Sequence, residues 1–443
     1  MSMKKSVVTA PASKSMSHRA VISAGLASGT SRLSGVLESQ DLERTIEIMT
    51  RCGASIKWEA PGVYEVRGVS GRPRGGDEVP VSLDVGESGT TCRLITAVVA
   101  AGMGSFFIHG RGRMHDRPIK ALTDALETQS VRVEWRGREG CPPLVLTTQG
   151  LAGGLIDISL EESSQYLSGL LLAAPMARES MAVEITGEKA VSWPYVALTL
   201  QTLEDFGLSF LVEEKTESSW TPADWRSVSN AVPGRIRFQV DPGHYRAREL
   251  QVEGDWSNAS YFLAAGAVGP TPVEVLGLRP DSLQGDRAML DILSRMGGSV
   301  EWIEGEGGPA VRVSPARLKG IVVDMGSCPD IAPTVAVTAA LAQGPTEIRN
   351  AAHLRIKESN RLEALVTEIS KTGAKVELLE DGLRITPGPS PLGRTFSFSS
   401  YNDHRIAMCL SIFERAGAKV RLDNPACVAK SFPEYWGKWR SLF

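Results

Sequence analysis

Residues 368–378, EISKTGAKVEL, place an amphipathic helical stretch before Gly373 and an alternation of apolar and polar residues after it. Glycine readily adopts the left-handed backbone conformation that ends many helices. An alternation with a period of two is typical of a strand with one buried face. The stretch therefore predicts a helix, a glycine turn and a strand in direct succession.

The same pattern occurs six times along the 443 residues. The residues at the turn from helix to strand are Gly53, Gln129, Gly207, Gly297, Gly373 and Gly417. The first four intervals between them are similar in length, and the last is shorter. Repetition of one such unit predicts an α/β protein built from similar modules, three in each half of the chain.

A polar segment separates the third unit from the fourth. Residues 215–235, KTESSWTPADWRSVSNAVPGR, are rich in Ser, Pro and Trp, a composition typical of loops and linkers. We predict a change of domain between residues 235 and 252. An excursion loop inside one domain is the alternative that this composition leaves open.

The bulk composition excludes several classes of function. The formal net charge is −3, so the chain has no general attraction for nucleic acid or membrane surfaces, and any anion site must be local. No window reaches the roughly 18 apolar residues of a membrane-spanning helix. The six cysteines lie far apart with no CxxC pair, which is typical of a reducing compartment and of a chain without structural zinc. We expect a cytoplasmic protein.

Several predicted helix starts combine small polar residues with Lys or Arg. In APASKSMSHRAV (residues 10–21), Lys14, Ser15 and Arg19 stand where a polar segment changes to helical spacing. Free backbone N–H groups at a helix N-terminus, together with a cation, bind phosphate or carboxylate. A capped surface helix with solvated charges explains this segment equally well when it is taken alone.

Four further segments of the first half repeat this layout, and simple helix capping explains each of them separately. Their candidate residues are Gly89 in DVGESGTTCRL (84–94), Arg117 in GRGRMHDRPIKAL (110–122), Ser163, Ser164 and Gln165 in SSQYLSGLLLAAP (163–175), and Ser192 and Tyr195 in SWPYVALTL (192–200).

The second half adds carboxylates to the cations. Asp330 precedes an apolar helical stretch, where a carboxylate is either an N-cap or a proton acceptor. In LRIKESNRLEAL (354–365), Lys357 and Arg361 are four residues apart, with Glu358 beside them. This spacing puts both cations on one face if the segment is helical.

The motifs together resemble the 5-enolpyruvylshikimate-3-phosphate synthase family. They occur in the family's order: SKSMSHR (13–19), DRPI (116–119), SSQYLSGLLLAAP (163–175), VEGDWSNASYFLAA (252–265), LRIKES (354–359), YNDHRIAM (401–408) and AKSFPEYW (429–436). The resemblance implies two similar domains, each of three βαβαββ repeats in an inside-out, barrel-like fold, with the active site in the cleft between them. It places residues 13–245 in one domain and residues 1–12 with 246–443 in the other.

The resemblance also implies the ligands and their contacts. Shikimate 3-phosphate would contact Lys14, Ser15, Arg19, Ser163, Ser164, Gln165, Ser192, Tyr195, Asp330 and Lys357. Phosphoenolpyruvate would contact Lys14, Gly89, Arg117, Gln165, Arg361, Arg405 and Lys430. No metal or cofactor, no nucleic acid and no membrane is implied, and a monomer is expected.

The implied reaction is an addition followed by an elimination, with transfer of the enolpyruvyl group to the 5-hydroxyl of shikimate 3-phosphate. It needs a base near that hydroxyl and an acid near C3 of phosphoenolpyruvate. We assign the base to Asp330, assisted by Lys14, and the acid to Glu358.

Three positions depart from the common pattern of the family. Glu87 stands where many members have Asn, His353 stands at a place that can hold Asn, and Asn360 replaces Asp. Because position 89 is Gly, we expect glyphosate to compete with phosphoenolpyruvate.

Two alternatives remain open. A UDP-N-acetylglucosamine enolpyruvyl transferase would carry a Cys in the loop before Arg117, and RGRMHDRPI has none. A non-catalytic anion-binding relative would not need both Asp330 and Glu358.

Overall fold

The computed structural model describes residues 6–217, 219–228, 231–305 and 307–443, which form two compact units. The continuous unit is Lys14–Val252, and the discontinuous unit joins residues 6–13 to Glu253–Phe443. The predicted boundaries followed residues 12 and 245, and residues 1–5 of the predicted second domain lie outside the described residues. The polar segment 215–235 belongs to the continuous unit.

The helices and strands of the described residues alternate along the whole chain. The strands are β1 (Ser6–Thr9), β2 (Thr30–Ser34), β3 (Ser55–Ala60), β4 (Val63–Arg67), β5 (Val81–Asp84), β6 (Gly104–His109), β7 (Arg132–Trp135), β8 (Leu144–Thr148), β9 (Gly154–Ser159), β10 (Met181–Thr186), β11 (Phe210–Lys215), β12 (Trp220–Pro222), β13 (Ile236–Val240), β14 (Glu249–Gln251), β15 (Val273–Leu276), β16 (Ser299–Gly305), β17 (Gly308–Ser314), β18 (Val322–Asp324), β19 (Thr346–Arg349), β20 (Lys375–Leu378), β21 (Leu383–Thr386), β22 (Thr395–Phe398) and β23 (Lys419–Leu422). The α-helices are α1 (Lys14–Leu26), α2 (Gln40–Arg51), α3 (Gly89–Ala100), α4 (Lys120–Glu127), α5 (Gln165–Ala173), α6 (Trp193–Asp205), α7 (Trp256–Val268), α8 (Met289–Arg295), α9 (Ala332–Ala340), α10 (Arg361–Ser370), α11 (His404–Arg415) and α12 (Tyr435–Arg440). Short 3₁₀ turns cover Gly112–Asp116, Ala174–Met176, Gly285–Ala288, Pro329–Ile331, Ala352–Ile356 and Pro425–Lys430.

The described strands form three sheets in each unit, and five of these six sheets share one plan. A first strand pairs in parallel with a second, and the second pairs antiparallel with the last strand of a hairpin. The strand orders are β14-β2-β4-β3, β5-β6-β8-β7 and β9-β10-β13-β11-β12 in the continuous unit, and β1-β15-β17-β16, β18-β19-β21-β20 and the truncated β22-β23 in the discontinuous unit. The prediction of an α/β fold built from βαβαββ repeats is confirmed.

Strand pairing explains where each unit begins and ends. β14 pairs in parallel with β2 and so supplies the missing strand of the first repeat of the continuous unit. The continuous unit therefore extends to Val252, just after β14. In the discontinuous unit, β1 pairs in parallel with β15, with Ser6 opposite Val273. The first strand of one repeat in each unit thus comes from a distant part of the chain.

The turns from helix to strand have the predicted left-handed conformation at five of the six positions. The glycines are Gly53, Gly207, Gly297, Gly373 and Gly417, with φ between 76° and 112°. At the remaining position the prediction of Gln129 is wrong, because Ser130 adopts φ 64° instead. Gln129 is buried, and its side-chain oxygen accepts a hydrogen bond from the Gly153 N–H at 2.9 Å.

The central helices of the repeats are buried almost all round. Helix α5 is buried over every residue after Gln165, and α7 is buried from Trp256 to Ala267. A helix that is apolar on all faces belongs in a core, so its polar residues concentrate at its ends. The N-terminal end of α5 carries the candidate residues Ser163, Ser164 and Gln165. None of the described helices is both long and apolar enough to span a membrane.

We predict that Gly169→Ala lowers the free energy of unfolding by about 1–3 kcal/mol, because an added methyl overpacks the contact between α3 and α5. An ideal Cβ at Gly169 lies 2.9 Å from Ala97 Cβ and 3.0 Å from the Arg93 carbonyl oxygen. Gly437→Ala is the control, since no atom beyond its own turn of helix lies within 4 Å of its added Cβ. Urea denaturation measures both variants, and equal stability of the two would contradict the prediction.

Candidate active site

Arg19 is a fully buried cation whose partners are neutral. Its guanidinium donates to Thr199 Oγ1 (2.8 Å), Ser168 Oγ (3.2 Å) and the carbonyl oxygens of Ser15 (2.9 Å) and Tyr195 (2.8 Å). Burial lowers the pKa of Arg19 to about 10, so it keeps its charge at neutral pH. Among the described residues no carboxylate pairs with this charge, which therefore favours a bound anion.

Lys14 and Ser15 form the first turn of α1. Lys14 is the first residue of the helix rather than a residue ahead of it, and its Nζ donates to Asp41 Oδ2 of α2 at 3.0 Å. The first backbone N–H groups of a helix have no partner within the helix and carry partial positive charge. The start of α1 therefore adds to the positive potential that Arg19 creates.

Gly89 and Arg117 are in close contact. Helix α3 begins at Gly89, after the N-cap Ser88, whose side chain accepts from the Thr91 N–H. Arg117 is buried, and its Nη1 donates to the Glu87 carbonyl at 3.4 Å. An ideal Cβ at Gly89 lies only 2.3 Å from Arg117 Nη2, so the guanidinium occupies the space that any larger residue would need.

The side chain of Glu87 packs against the 3₁₀ turn Gly112–Asp116. An ideal Cβ at Gly112 lies 2.5 Å from Glu87 Oε1, and Gly112 has φ 53°. Glycine is therefore required at Gly112 by its backbone conformation and by this contact. Glu87, one of the three residues that depart from the family pattern, therefore packs against Gly112.

Gln165 is held by hydrogen bonds at both ends of its carboxamide. Its Oε1 accepts from Arg93 Nη1 at 3.2 Å, and its Nε2 donates to Thr90 Oγ1 at 2.9 Å. The Gln165 N–H donates to Ser163 Oγ at 3.2 Å, and Ser164 occupies the N-cap position of α5. The start of α5 is therefore tied to the start of α3.

The start of α6 provides the remaining predicted residues of the continuous unit. Ser192 occupies its N-cap position in the left-handed conformation, with φ 57°. Tyr195 lies in the first turn, and its carbonyl accepts from Arg19. The structure thus brings Ser15, Arg19 and Tyr195 together. We call the predicted residues of this unit the continuous-unit cluster: Lys14, Ser15, Arg19, Gly89, Arg117, Ser163, Ser164, Gln165, Ser192 and Tyr195.

Asp330 lies between two arginines of the discontinuous unit. Its Oδ2 accepts from Arg405 Nη2 at 2.7 Å, and its Oδ1 lies 3.5 Å from Arg361 Nη1. It belongs to the 3₁₀ turn Pro329–Ile331 that leads into α9, so it is not the N-cap of that helix. Of the two roles left open for Asp330, capping is therefore wrong.

Lys357 and Arg361 do not share one helix. The 3₁₀ turn Ala352–Ile356 ends before Lys357, and α10 begins at Arg361. The reason is Asn360, whose side chain accepts from the Glu363 N–H at 3.4 Å and so caps α10. Glu358 nevertheless contacts the second cation, because its Oε2 accepts from Arg361 Nη2 at 2.7 Å.

Asp403 is a residue of this site that the sequence analysis missed. Its buried carboxylate accepts from Arg361 Nε at 2.8 Å and from Ser359 Oγ at 2.9 Å. The same carboxylate caps α11 by accepting from the Arg405 N–H at 2.9 Å. Aspartate before a predicted helix start is the sequence signal for an N-cap and marks this residue.

Lys430 lies at the end of the 3₁₀ turn Pro425–Lys430 and donates to the Asn402 carbonyl at 3.0 Å. His353 is buried in the turn Ala352–Ile356. We call the predicted residues of this unit the discontinuous-unit cluster: Asp330, Lys357, Glu358, Arg361, Arg405 and Lys430. The direct contacts described above join Asp330, Glu358, Arg361 and Arg405.

Asp330 and the fully buried Asp403 are both held in their charged form. Burial raises the pKa of Asp330, but the charges of Arg405, Arg361 and Lys357 outweigh it and hold that pKa well below its ordinary value. Burial also raises the pKa of Asp403, and the charge of Arg361 more than offsets it, so the net shift is downward. Both carboxylates are therefore proton acceptors and not proton donors at neutral pH.

Comparisons with known proteins point to one family. Residues 2–439 match the family described as EPSP synthase (3-phosphoshikimate 1-carboxyvinyltransferase). Relatives named 3-phosphoshikimate 1-carboxyvinyltransferase include one from Vibrio vulnificus (strain YJ016), 39% identical over 98% of this chain and 96% of its own. Another, from Marinomonas sp. (strain MWYL1), is 37% identical over 98% and 95%.

Solved structures agree with the sequence comparisons. EPSP synthase from Acinetobacter baumannii matches with a TM-score of 0.76 and 26% identity, over 99% of this chain and 96% of that chain. The enolpyruvyl transferase NikO from Streptomyces tendae matches with a TM-score of 0.72, over 99% and 95%. At 18% identity, the second match shows a likeness of fold alone.

We predict that Asp403→Asn lowers the free energy of unfolding at pH 7 by about 1–3 kcal/mol, because it removes one of the two carboxylates that pair closely with the buried Arg361. The pKa of Asp403 is depressed in the folded protein, so its contribution is complete above the unfolded value of about 3.9 and is lost as the pH falls below it. The variant should therefore lose less stability than the wild type between pH 5 and pH 2.

The matched control for this prediction is Asp281→Asn, which breaks a surface pair with Arg279. We expect it to change stability by no more than about 1 kcal/mol, as is usual for exposed ion pairs. Urea denaturation across the pH range measures both variants. A loss in Asp403→Asn as small as that in the control would contradict the role of Asp403.

Proposed function

The chain belongs to the EPSP synthase family, 3-phosphoshikimate 1-carboxyvinyltransferase, and on that basis we propose that the two clusters bind the substrates of this reaction. The enzyme transfers the enolpyruvyl group of phosphoenolpyruvate to the 5-hydroxyl of shikimate 3-phosphate and releases phosphate. The reaction is a step of the shikimate pathway to chorismate and the aromatic amino acids. Both substrates are anions.

The observation that carries the proposal for shikimate 3-phosphate is the buried charge of Arg19. Its hydrogen-bond partners are neutral, so a phosphate group supplies the negative charge that this place lacks. The N-termini of α1, α5 and α6 add backbone and hydroxyl donors of the kind that bind phosphate. The proposed contacts are Lys14, Ser15, Arg19, Ser163, Ser164, Gln165, Ser192, Tyr195, Asp330 and Lys357.

Phosphoenolpyruvate carries a carboxylate and a phosphate, and arginine pairs with both groups through two parallel hydrogen bonds. Arg117, Arg361 and Arg405 are all buried, so they lose little side-chain entropy when a ligand binds. The proposed contacts are Lys14, Gly89, Arg117, Gln165, Arg361, Arg405 and Lys430. Glyphosate is the inhibitor that we propose competes with phosphoenolpyruvate for these groups.

The proposed chemistry begins with an addition. The 5-hydroxyl oxygen forms a bond to C2 of phosphoenolpyruvate, its proton passes to Asp330 with the help of Lys14, and Glu358 delivers a proton to C3. The tetrahedral intermediate then loses a proton from C3 and expels phosphate, which restores the double bond. A base and an acid positioned in this way typically accelerate a reaction by about 10²–10⁴-fold each.

Asp330 can accept a proton and Glu358 can donate one only if Arg405 and Arg361 first exchange these carboxylates for other partners. Asp330 is a weak base while Arg405 holds it, and Glu358 accepts a hydrogen bond from Arg361. Binding of an anionic substrate engages both arginines and so weakens their hold on the carboxylates. The pKa of Asp330 then rises towards the value that proton transfer needs.

We predict that Asp330→Asn lowers kcat by about 10²–10⁴-fold while both substrates still bind, because the amide keeps the shape but cannot take a proton. Phosphate release from phosphoenolpyruvate with shikimate 3-phosphate measures kcat, and calorimetry measures binding. UDP-N-acetylglucosamine serves as the acceptor that should give no release. Asp291→Asn, which alters a surface pair with Arg295, is the matched control. A kcat in Asp330→Asn equal to the control would remove Asp330 as the base.

We also predict that Gly89→Ala raises KM for phosphoenolpyruvate by about tenfold or more, because its methyl group displaces the Arg117 guanidinium. The KM for shikimate 3-phosphate should change less, since Arg117 is not among its proposed contacts. Gly437→Ala provides the control for a helical glycine that touches nothing beyond its own turn of helix. Unchanged KM values for both substrates in Gly89→Ala would refute the assignment of Arg117.

A further inference from the structure

A chain of buried hydrogen bonds connects the starts of α1 and α3 through α2. His18 Nδ1 lies 2.8 Å from Thr45 Oγ1, Thr45 Oγ1 lies 2.8 Å from Thr91 Oγ1, and Thr91 Oγ1 donates to Ser88 Oγ at 2.7 Å. The exposed fraction of each of these four residues is 1% or less. None of them is among the residues proposed to contact a substrate.

The donor and acceptor of each hydrogen bond in this series can be assigned in turn, starting from Ser88. Ser88 Oγ accepts from both the Thr91 N–H and the Thr91 hydroxyl, and the Asp41 carbonyl, at 3.3 Å, is the other acceptor for that hydroxyl proton. A hydroxyl has only one proton to donate, so Thr91 must accept from Thr45. Thr45 has then used its own proton and must accept from His18 Nδ1–H.

This order agrees with the surroundings of His18. Burial, followed by the charges of Lys14 and Arg19, lowers the pKa of His18 well below its ordinary value, so the imidazole is neutral. With its proton on Nδ1, the neutral ring has a lone pair on Nε2. Among the described residues Nε2 is buried without a hydrogen-bond partner, which costs less for an acceptor than an unsatisfied N–H would.

The Ser88 end of this hydrogen-bonded chain lies next to a proposed substrate contact. Ser88 is the N-cap of α3, and the next residue, Gly89, lies directly beneath the Arg117 guanidinium. A shift of this turn by a few tenths of an ångström changes the space available to Arg117. Thr45 is therefore connected to Arg117 through Thr91 and the Ser88–Gly89 turn without touching it.

We propose that His18 and Thr45 are positioning residues of the reaction, which hold the Ser88–Gly89 turn, and through it Arg117, in the place that binds phosphoenolpyruvate. This inference rests on the proposed function, because it takes Arg117 as a phosphoenolpyruvate contact. It assigns a role to two side chains that the mechanism itself does not use.

The test compares Thr45→Val, which keeps the shape and removes the hydroxyl, with Thr45→Ser, which restores the hydroxyl. Thr50→Val is the matched control, because Thr50 lies on the same helix and is exposed. Its hydroxyl donates a hydrogen bond to the Ile46 carbonyl of its own helix. KM for each substrate, kcat and Tm are measured for all three variants at a temperature well below Tm.

In Thr45→Val we expect KM for phosphoenolpyruvate to rise about tenfold, the typical effect of one lost buried hydrogen bond. KM for shikimate 3-phosphate should stay within about twofold, and Thr45→Ser should recover most of the loss. Thr50→Val should behave as the wild type. A purely structural role would lower Tm in Thr45→Val and leave both KM values unchanged, and that result would overturn the proposal.

A second pair of variants decides the question if Thr45→Val does not fold. His18→Asn keeps an N–H donor close to the place of Nδ1, whereas His18→Leu has none. The proposal expects a near-normal KM for phosphoenolpyruvate in His18→Asn and a raised value in His18→Leu. Equal KM values in the two variants would overturn it.

Arg117→Ala, measured in the same experiment, distinguishes the proposed function of Arg117 from the positioning role of Thr45. A wild-type KM for phosphoenolpyruvate in Arg117→Ala refutes the proposed function of Arg117. A raised KM there, with an unchanged KM in Thr45→Val, refutes the positioning role alone.

Discussion

Burial of guanidinium groups is the constraint on which both clusters depend. Arg19, Arg117, Arg361 and Arg405 are each at most 5% exposed, and a buried cation is costly unless acceptors surround it. Hydroxyl, carbonyl and carboxylate oxygens in the first turns of the buried helices, or just before them, supply many of those acceptors. The same first turns present backbone N–H groups. Cations and helix N-termini therefore occur together for a structural reason, and the result is an environment for anions.

The two units satisfy this constraint in different ways. In the continuous unit Arg19 is surrounded by neutral hydroxyl and carbonyl oxygens, so its positive charge is not cancelled. In the discontinuous unit Asp403 and Glu358 pair with Arg361, and Asp330 pairs with Arg405. The first arrangement suits the binding of a phosphate. In the second, the charges of Arg405 and Arg361 hold the pKa of Asp330 well below its ordinary value.

The fold could be predicted from the sequence because one pattern of helix, turn and strand repeats along it. The turn glycines follow from a local rule, since few other residues adopt positive φ at low cost, and five of the six turns obeyed it. At the sixth turn Ser130 takes the left-handed conformation, and the side chain of Gln129 accepts a hydrogen bond from the Gly153 N–H. The helix expected to carry both Lys357 and Arg361 was prevented by a local contact, because Asn360 caps α10 and so delays its start to Arg361.

The sequence by itself determined the repeated α/β units, the family and the types of residue at each helix start, because these depend on local spacing and composition. Only the tertiary structure decided which of those residues meet. Hydrogen bonds such as those of Arg19 to Tyr195 or of Arg361 to Asp403 join residues far apart in the chain, and no local pattern encodes them. The pairing of β14 with β2 is decided in the same way. Such contacts form only when the packing of whole helices and sheets brings distant segments together.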